Sequence, residues 1–310
     1  MISVTLGAGV PAWQGLPTLL RSHNGRVVGF IGIGVMGKSM AGHILSKGYK
    51  VLVYTRTQEK AEELVKQGAV WKQSVADIAT EANIVITMVG YPYDVEEVYL
   101  GENGLLAHAK EGTYFIDMTT STPSLATKIY EEAKQKGLYS LDAPVSGGDV
   151  GAKEARLAIM VGGDEEVFEA CKPLFEIMGE NIVYQGPAGS GQHTKMCNQI
   201  AIASNMIGVA EAMVYAKKSG LDPETVLKSI STGAAGSWSL SNLAPRMIAG
   251  NFEPGFYIKH FIKDMGIALE EAKAMGMDTP GLELAIQMYE ELAEKGEENS
   301  GTQAIYKLWD

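Results

Sequence analysis

Val27-Val28-Gly29-Phe30-Ile31-Gly32-Ile33-Gly34-Val35-Met36-Gly37-Lys38-Ser39-Met40-Ala41-Gly42-His43-Ile44-Leu45 holds, in order, a β-rich apolar run, glycines spaced G-x-G-x-x-G, and a segment with helical spacing of apolar residues. A strand therefore ends at Gly32 and a helix begins near Val35. In this arrangement Gly32 makes the tight turn, Gly34 leaves the backbone open to a pyrophosphate, and Gly37 lets the helix pack closely on the strand. The helix N-terminus, with its unpaired N–H groups and partial positive charge, then faces the anion. Gly32, Ile33, Gly34, Val35, Met36 and Gly37 are the candidate dinucleotide-binding loop.

A second β-rich run, Lys50-Val51-Leu52-Val53-Tyr54, follows a helix stop at Gly48. The position that reads the adenosine ribose falls at Thr55, 23 residues after Gly32. An acid there would bind a free 2′-hydroxyl and repel a 2′-phosphate. The chain instead has Thr55-Arg56-Thr57, a guanidinium and two hydroxyls. NADP(H) is the preferred cofactor on this reading, with NAD(H) possible; the bland alternative makes Arg56 a solvated loop residue.

Three further apolar runs end in loops of small or polar residues: Asn83–Val89 before Gly90-Tyr91-Pro92, Thr113–Met118 before Thr119-Thr120-Ser121, and the stretch Tyr139–Gly148, a strand running into a loop with one hydroxyl, Ser146, and two adjacent glycines. In a doubly wound sheet ligands lie beyond the strand C-termini, so Val89, Gly90 and Thr120 are candidate cofactor neighbours. Ser146-Gly147-Gly148 offers a hydroxyl and unobstructed N–H groups to a carboxylate. Leu157–Gly163 and Asn181–Tyr184 read as the last strands. Gly186-Pro187 marks the domain boundary.

Beyond it the pattern changes to helices. The first runs from near Gly189 to about Ser219 and is too long and apolar to read as a surface helix, yet it holds Lys195 a turn inside its start. Asn198 lies three residues on, on the same face. Gly220-Leu221-Asp222-Pro223 reads as a helix stop, an Asp N-cap and Pro at the first helical position. Phe256 to Met275 is a further helix carrying Lys259, His260 and Lys263. The fold class is thus an α/β Rossmann-type doubly wound sheet over residues 27–186, followed by an all-α domain over 187–310 and joined to it by a long inter-domain helix. Residues 1–26 have no acid and are interrupted by Pro11 and Pro17; they read as an extension outside the fold.

A net charge of −11 argues against nucleic acid or an anionic membrane surface as partner. Uninterrupted apolar runs stay short of the roughly 18 residues of a bilayer span. Cys171 and Cys197, both in apolar settings and in no pair motif, read as buried free thiols of a reducing compartment, and the expected location is cytoplasmic. His, Cys and carboxylates show no metal-ligand spacing, so no metal is expected.

Four motifs in order, Phe30–Gly37, Asp142–Gly148, Gly189–Asn198 with Lys195, and Lys263-Asp264, resemble those of the β-hydroxyacid dehydrogenases, a family that includes 3-hydroxyisobutyrate dehydrogenase and tartronate semialdehyde reductase. The resemblance covers about residues 27 to 307. It implies an active site in the cleft between the domains and a homodimer or homotetramer. It also implies hydride transfer between NADP(H) and a small 3-hydroxy acid or aldehyde acid: Lys195 is the catalytic residue, Ser146, Gly147 and Gly148 hold the substrate carboxylate, Asn198 supports the substrate, and Lys263 approaches the cofactor or substrate. Moving hydride off a carbinol leaves an alkoxide proton to manage. A lysine can manage it once burial lowers its pKa. The sequence departs from the family pattern at Ala155-Arg156, at Val89-Gly90 and at His260, which bears on the substrate more than on the cofactor. The alternative from another class is a non-catalytic nucleotide-binding or structural protein on the same fold, against which Lys195 stands. The expected partner is a short carboxylate-bearing molecule: glyoxylate or the semialdehydes of tartronate, methylmalonate or succinate.

Overall fold

The computed structural model describes residues 25–309, so the expectation for the N-terminal extension lies almost wholly outside the described residues. Strands and helices alternate through the first half: β1 (Val27–Ile31), α1 (Val35–Ser46), β2 (Lys50–Tyr54), α2 (Glu62–Lys66), β3 (Val70–Trp71), α3 (Val75–Glu81), β4 (Ile84–Thr87), α4 (Pro92–Leu100), α5 (Leu105–His108), β5 (Tyr114–Asp117), α6 (Pro123–Gln135) and β6 (Tyr139–Asp142). These six strands are parallel and lie in the order β3-β2-β1-β4-β5-β6. The order reverses between β1 and β4, where a doubly wound sheet opens its ligand crevice. β1, β4 and β5 are almost wholly buried because helices cover both sheet faces, each with its own apolar core.

The sheet continues past β6 through β7 (Val145–Ser146), α7 (Gly148–Lys153), β8 (Leu157–Gly162), α8 (Glu165–Phe175) and β9 (Gly179–Gly186). β8 runs antiparallel to β6 and β7 and parallel to β9. β3, with two residues, was not anticipated from the sequence: a run that short has no period to recognise.

α9 (Ser190–Lys218) is the spine of the molecule. The remaining helices, α10 (Pro223–Ile230), α11 (Trp238–Asn242), α12 (Ala244–Ile248), α13 (Ile258–Ala274) and α14 (Pro280–Leu292), assemble around it with a third apolar core. Its N-terminus is tied to the sheet. The buried Asp142 carboxylate at the end of β6 accepts from Gly189 N at 2.8 Å and from Gln192 N at 2.9 Å, closing two helix-terminal donors that would otherwise be unpaired. Glycine is required nearby, since a Cβ on Gly191 would stand 2.4 Å from Met160 O.

α9 corrects one expectation. Cys197 is exposed, and with Ala201, Ser204, Gly208, Glu211 and Tyr215 it forms an open stripe at helical spacing. The helix is therefore buried on one side only. By length and hydropathy α9 could cross a membrane, but its apolar side is spent on the third core.

Candidate active site

A cleft of about 1670 Å³ lies between the C-terminal ends of the sheet strands and the helical half. Every residue singled out from the sequence as a site candidate borders it. At one end are Gly32, Ile33, Gly34, Val35, Met36 and Gly37, with Thr55, Arg56 and Thr57 beside them and Val89, Gly90 and Thr120 across the β1–β4 crevice. At the other are Ser146, Gly147 and Gly148 from the Rossmann half and Lys195, Asn198 and Lys263 from the helices.

The glycine loop fits a dinucleotide. Gly32 has φ +98, and a Cβ there would stand 2.1 Å from Met88 O; one on Gly37 would stand 1.9 Å from Gly32 O. A Cβ on Gly34 would meet nothing within 4 Å, which leaves this backbone open to the cleft. α1 starts here with neither a side-chain cap nor an acid in its first turn, so its N–H groups remain for an anion. His43 of α1 donates from Nε2 to Ala152 O of α7 at 3.0 Å, fixing α1 against the helix that follows Gly147-Gly148.

Arg56 is not a free cation. Its Nη1 lies 3.1 Å from Asp94 Oδ1, with the arginine side chain 80% exposed and the aspartate 10%. Asp94 Oδ2 also accepts from Tyr91 N at 3.2 Å, at the start of α4. Asp94 escaped the sequence reading because its partner is 38 residues away. The β4 and β5 ends are cross-tied as well: Asp117 Oδ1 accepts from Thr87 Oγ1 at 2.7 Å and from Thr119 N at 3.1 Å, and Thr119 Oγ1 accepts from Val89 N at 3.0 Å. Burial pushes the Asp117 carboxyl up to about 6.

At the far end Gly147 and Gly148 have φ +132 and +63, conformations that side chains oppose, and the turn they make exposes backbone next to Ser146. Lys195 is only 7% exposed, and its Nζ donates to Val145 O at 2.8 Å, one residue from Ser146. Burial lowers its pKa from the ordinary lysine range to about 8; the Asp264 carboxylate opposes that shift and the Lys263 ammonium adds to it. Lys263 Nζ donates to Thr120 O at 2.7 Å, joining α13 to the end of β5. It also lies 2.7 Å from Asp264 Oδ1, though not directed at it as a hydrogen bond.

Two glutamines went unread in the sequence. Gln192 bridges Ser121 N and Thr119 O, at 2.9 and 2.7 Å, and so orients the loop carrying Thr120. Gln199 joins Asn198 to Asp264. His260 lies half-buried against Tyr91 and Tyr257, with ring centroids 5.5 and 5.8 Å away, where α13 meets the β4–α4 loop. Burial and the neighbouring Lys263 lower its pKa.

A buried lysine of lowered pKa beside a glycine turn, in the same cleft as the G-x-G-x-x-G loop, can exchange a proton with a group bound there. The comparisons with known proteins agree. Residues 27–186 match the model described as the NAD binding domain of 6-phosphogluconate dehydrogenase, and residues 189–309 match that of NADP-dependent 3-hydroxyisobutyrate dehydrogenase. The chain belongs to the β-hydroxyacid dehydrogenase family. It is 72% identical to an uncharacterized oxidoreductase, YkwC, of Bacillus subtilis, over 92% of this chain and 99% of the relative. It is 39% identical to the 2-hydroxy-3-oxopropionate reductase of Escherichia coli, over 87% and 92%. Among solved structures, 3-hydroxyisobutyrate dehydrogenase of Mycobacterium tuberculosis with L-serine superposes with a TM-score of 0.83 at 31% identity, covering 91% of this chain and 98% of that one. The chain is an NAD(P)-dependent hydroxyacid dehydrogenase in a family whose members differ in substrate and in cofactor.

Proposed function

We propose that this β-hydroxyacid dehydrogenase interconverts short 3-hydroxy acids and their semialdehydes with a preference for NADP(H), using Lys195 as the general acid and base. The observation that carries the reading is the buried Lys195 ammonium beside the Ser146-Gly147-Gly148 turn. The N–H groups of that turn and Ser146 Oγ take the substrate carboxylate, which brings the oxygen on a nearby carbon to Lys195 Nζ. When bound, the nicotinamide supplies or accepts the hydride. Neutral Lys195 takes the hydroxyl proton during oxidation, and protonated Lys195 returns it during reduction; a pKa of about 8 makes both forms accessible near neutrality. Val145 O holds the lysine in place.

The cofactor preference rests on Thr55-Arg56-Thr57 at the ribose end and on the lack of an acid among those three residues. Asp94 tempers it, because a 2′-phosphate must share or displace the Arg56 pair.

The test is a panel of aldehyde acids assayed with NADPH and NADH, with butanal as the uncharged counterpart of succinic semialdehyde. Loss of the carboxylate should lower kcat/KM by about 100-fold or more, because the cradle donors are then left unpaired. Equal turnover of butanal and the acid would remove the cradle from the account.

A further inference from the structure

We propose that His260 of α13 is a contact for the dinucleotide itself: an imidazole N–H donates to its pyrophosphate–ribose stretch from the helical half, opposite the glycine loop. The inference needs the nicotinamide dinucleotide that the family uses, and neither the substrate class nor the 2′-phosphate preference proposed above.

Packing places the ring and leaves its polar atoms unsatisfied. Tyr91, from the β4–α4 loop, and Tyr257, at the start of α13, lie against it with centroids 5.5 and 5.8 Å away, and Tyr93 stacks on Tyr91 at 5.2 Å. Aromatic rings from both halves thus fix the orientation of the imidazole. Neither ring nitrogen has a hydrogen-bond partner among the described residues, although a neutral imidazole always carries one donor and one acceptor. The Cε1 corner, which both nitrogens flank, is turned towards Gly90: a Cβ built on Gly90 would stand 3.8 Å from it. His260 and Gly90 border the same cleft as the glycine loop.

A dinucleotide with its pyrophosphate at Gly34 and the start of α1, and its adenosine end at Thr55–Thr57, crosses the β1–β4 crevice, where Gly90 lies on the sheet side. His260 is what α13 presents there. The charges around it suit an anion. Lys263 follows one turn on along α13, and Lys259 precedes His260, its Nζ 5.1 Å from the Tyr257 ring centroid. Both nearby carboxylates are already engaged: Asp94 with Arg56 and Tyr91 N, Asp264 with Lys263 and Gln199. Burial and Lys263 keep the imidazole uncharged at neutral pH, so it acts as a hydrogen-bond donor and not as a fixed cation. Such a contact strengthens NADPH and NADH binding alike, because it does not read the 2′-position.

The experiment measures the affinity of NADPH, NADH, ADP-ribose and adenosine 2′-phosphate for wild type and for His260→Phe, which keeps an aromatic ring between Tyr91 and Tyr257 but has no N–H. The variant should bind NADPH, NADH and ADP-ribose about tenfold more weakly, by one common factor, and adenosine 2′-phosphate within about twofold of wild type. His260→Gln restores a side-chain N–H and should recover NADPH affinity to within about threefold. A ring that only packs would give the opposite order, with Phe neutral and Gln impaired. NADPH affinity of His260→Phe within about twofold of wild type, or an equal loss for adenosine 2′-phosphate, would overturn the inference. Should the variants fail to fold, wild type decides through diethyl pyrocarbonate, which modifies neutral imidazole. NADPH and ADP-ribose, but not adenosine 2′-phosphate, should slow modification of His260 by about tenfold while leaving the exposed His193 unchanged. No protection of His260, or equal protection by adenosine 2′-phosphate, would overturn it as well.

Discussion

Arg56 and Asp94 show how one residue's contribution depends on a partner that sequence distance hides. The guanidinium is mostly exposed, so the ion pair contributes little to stability, but on the proposed function it would set the charge that a 2′-phosphate meets. Arg56→Ala should cut the NADPH:NADH ratio of kcat/KM by about tenfold, mainly through cofactor affinity. Asp94→Asn keeps an acceptor for Tyr91 N while removing the competing charge, and should raise that ratio by about two- to fivefold. Both effects should shrink as salt rises from low to molar concentration. If Asp94→Asn lowers the ratio, Asp94 holds Arg56 in its working position and does not compete for it. The sequence showed the guanidinium but not its counter-ion. Glycines were more legible, because a G-x-G-x-x-G turn is required by local backbone geometry and needs no distant partner. Cys197 was misread for the complementary reason: apolar neighbours along a helix do not say which face a residue occupies.

Among the elements α9 joins the two halves, and its hold on the sheet is concentrated at Asp142. Asp142→Ala would strand two buried N–H groups, those of Gly189 and Gln192, at about 1–3 kcal/mol each. Urea unfolding of this variant should therefore show a loss of about 2–5 kcal/mol. A loss below about 0.5 kcal/mol would mean that water replaces the carboxylate and that the helix is held by apolar packing instead. The start of α9 was legible because Gly189 and the polar residues after it precede a long apolar segment. Its anchor was not, since Asp142 and Gly189 meet only once β6 and α9 are both in place. β3 lies at the other limit, two residues whose pairing with β2 is imposed by the sheet and not by their own pattern.

For the molecule as a whole, the proposed function needs both halves at one site: the sheet half would supply the dinucleotide loop and the carboxylate-binding turn, the helical half the proton-transfer group. The alternation of strands and helices followed by helices alone made this division legible, whereas the network joining the halves, from Asn198 through Gln199, Asp264 and Lys263 to Thr120, was not. The most direct measurement is the pH dependence of kcat in both directions for wild type and Lys195→Met, with NADPH affinity measured in parallel. Oxidation needs the neutral lysine and should rise as pH passes through about 8, while reduction needs the protonated lysine and should fall over the same interval. Lys195→Met should lose about 10²–10⁴-fold in kcat and both pH dependences, yet bind NADPH within about threefold of wild type. A variant that keeps activity within about threefold of wild type, or the same pH limbs, would contradict the assignment of Lys195 as the acid and base.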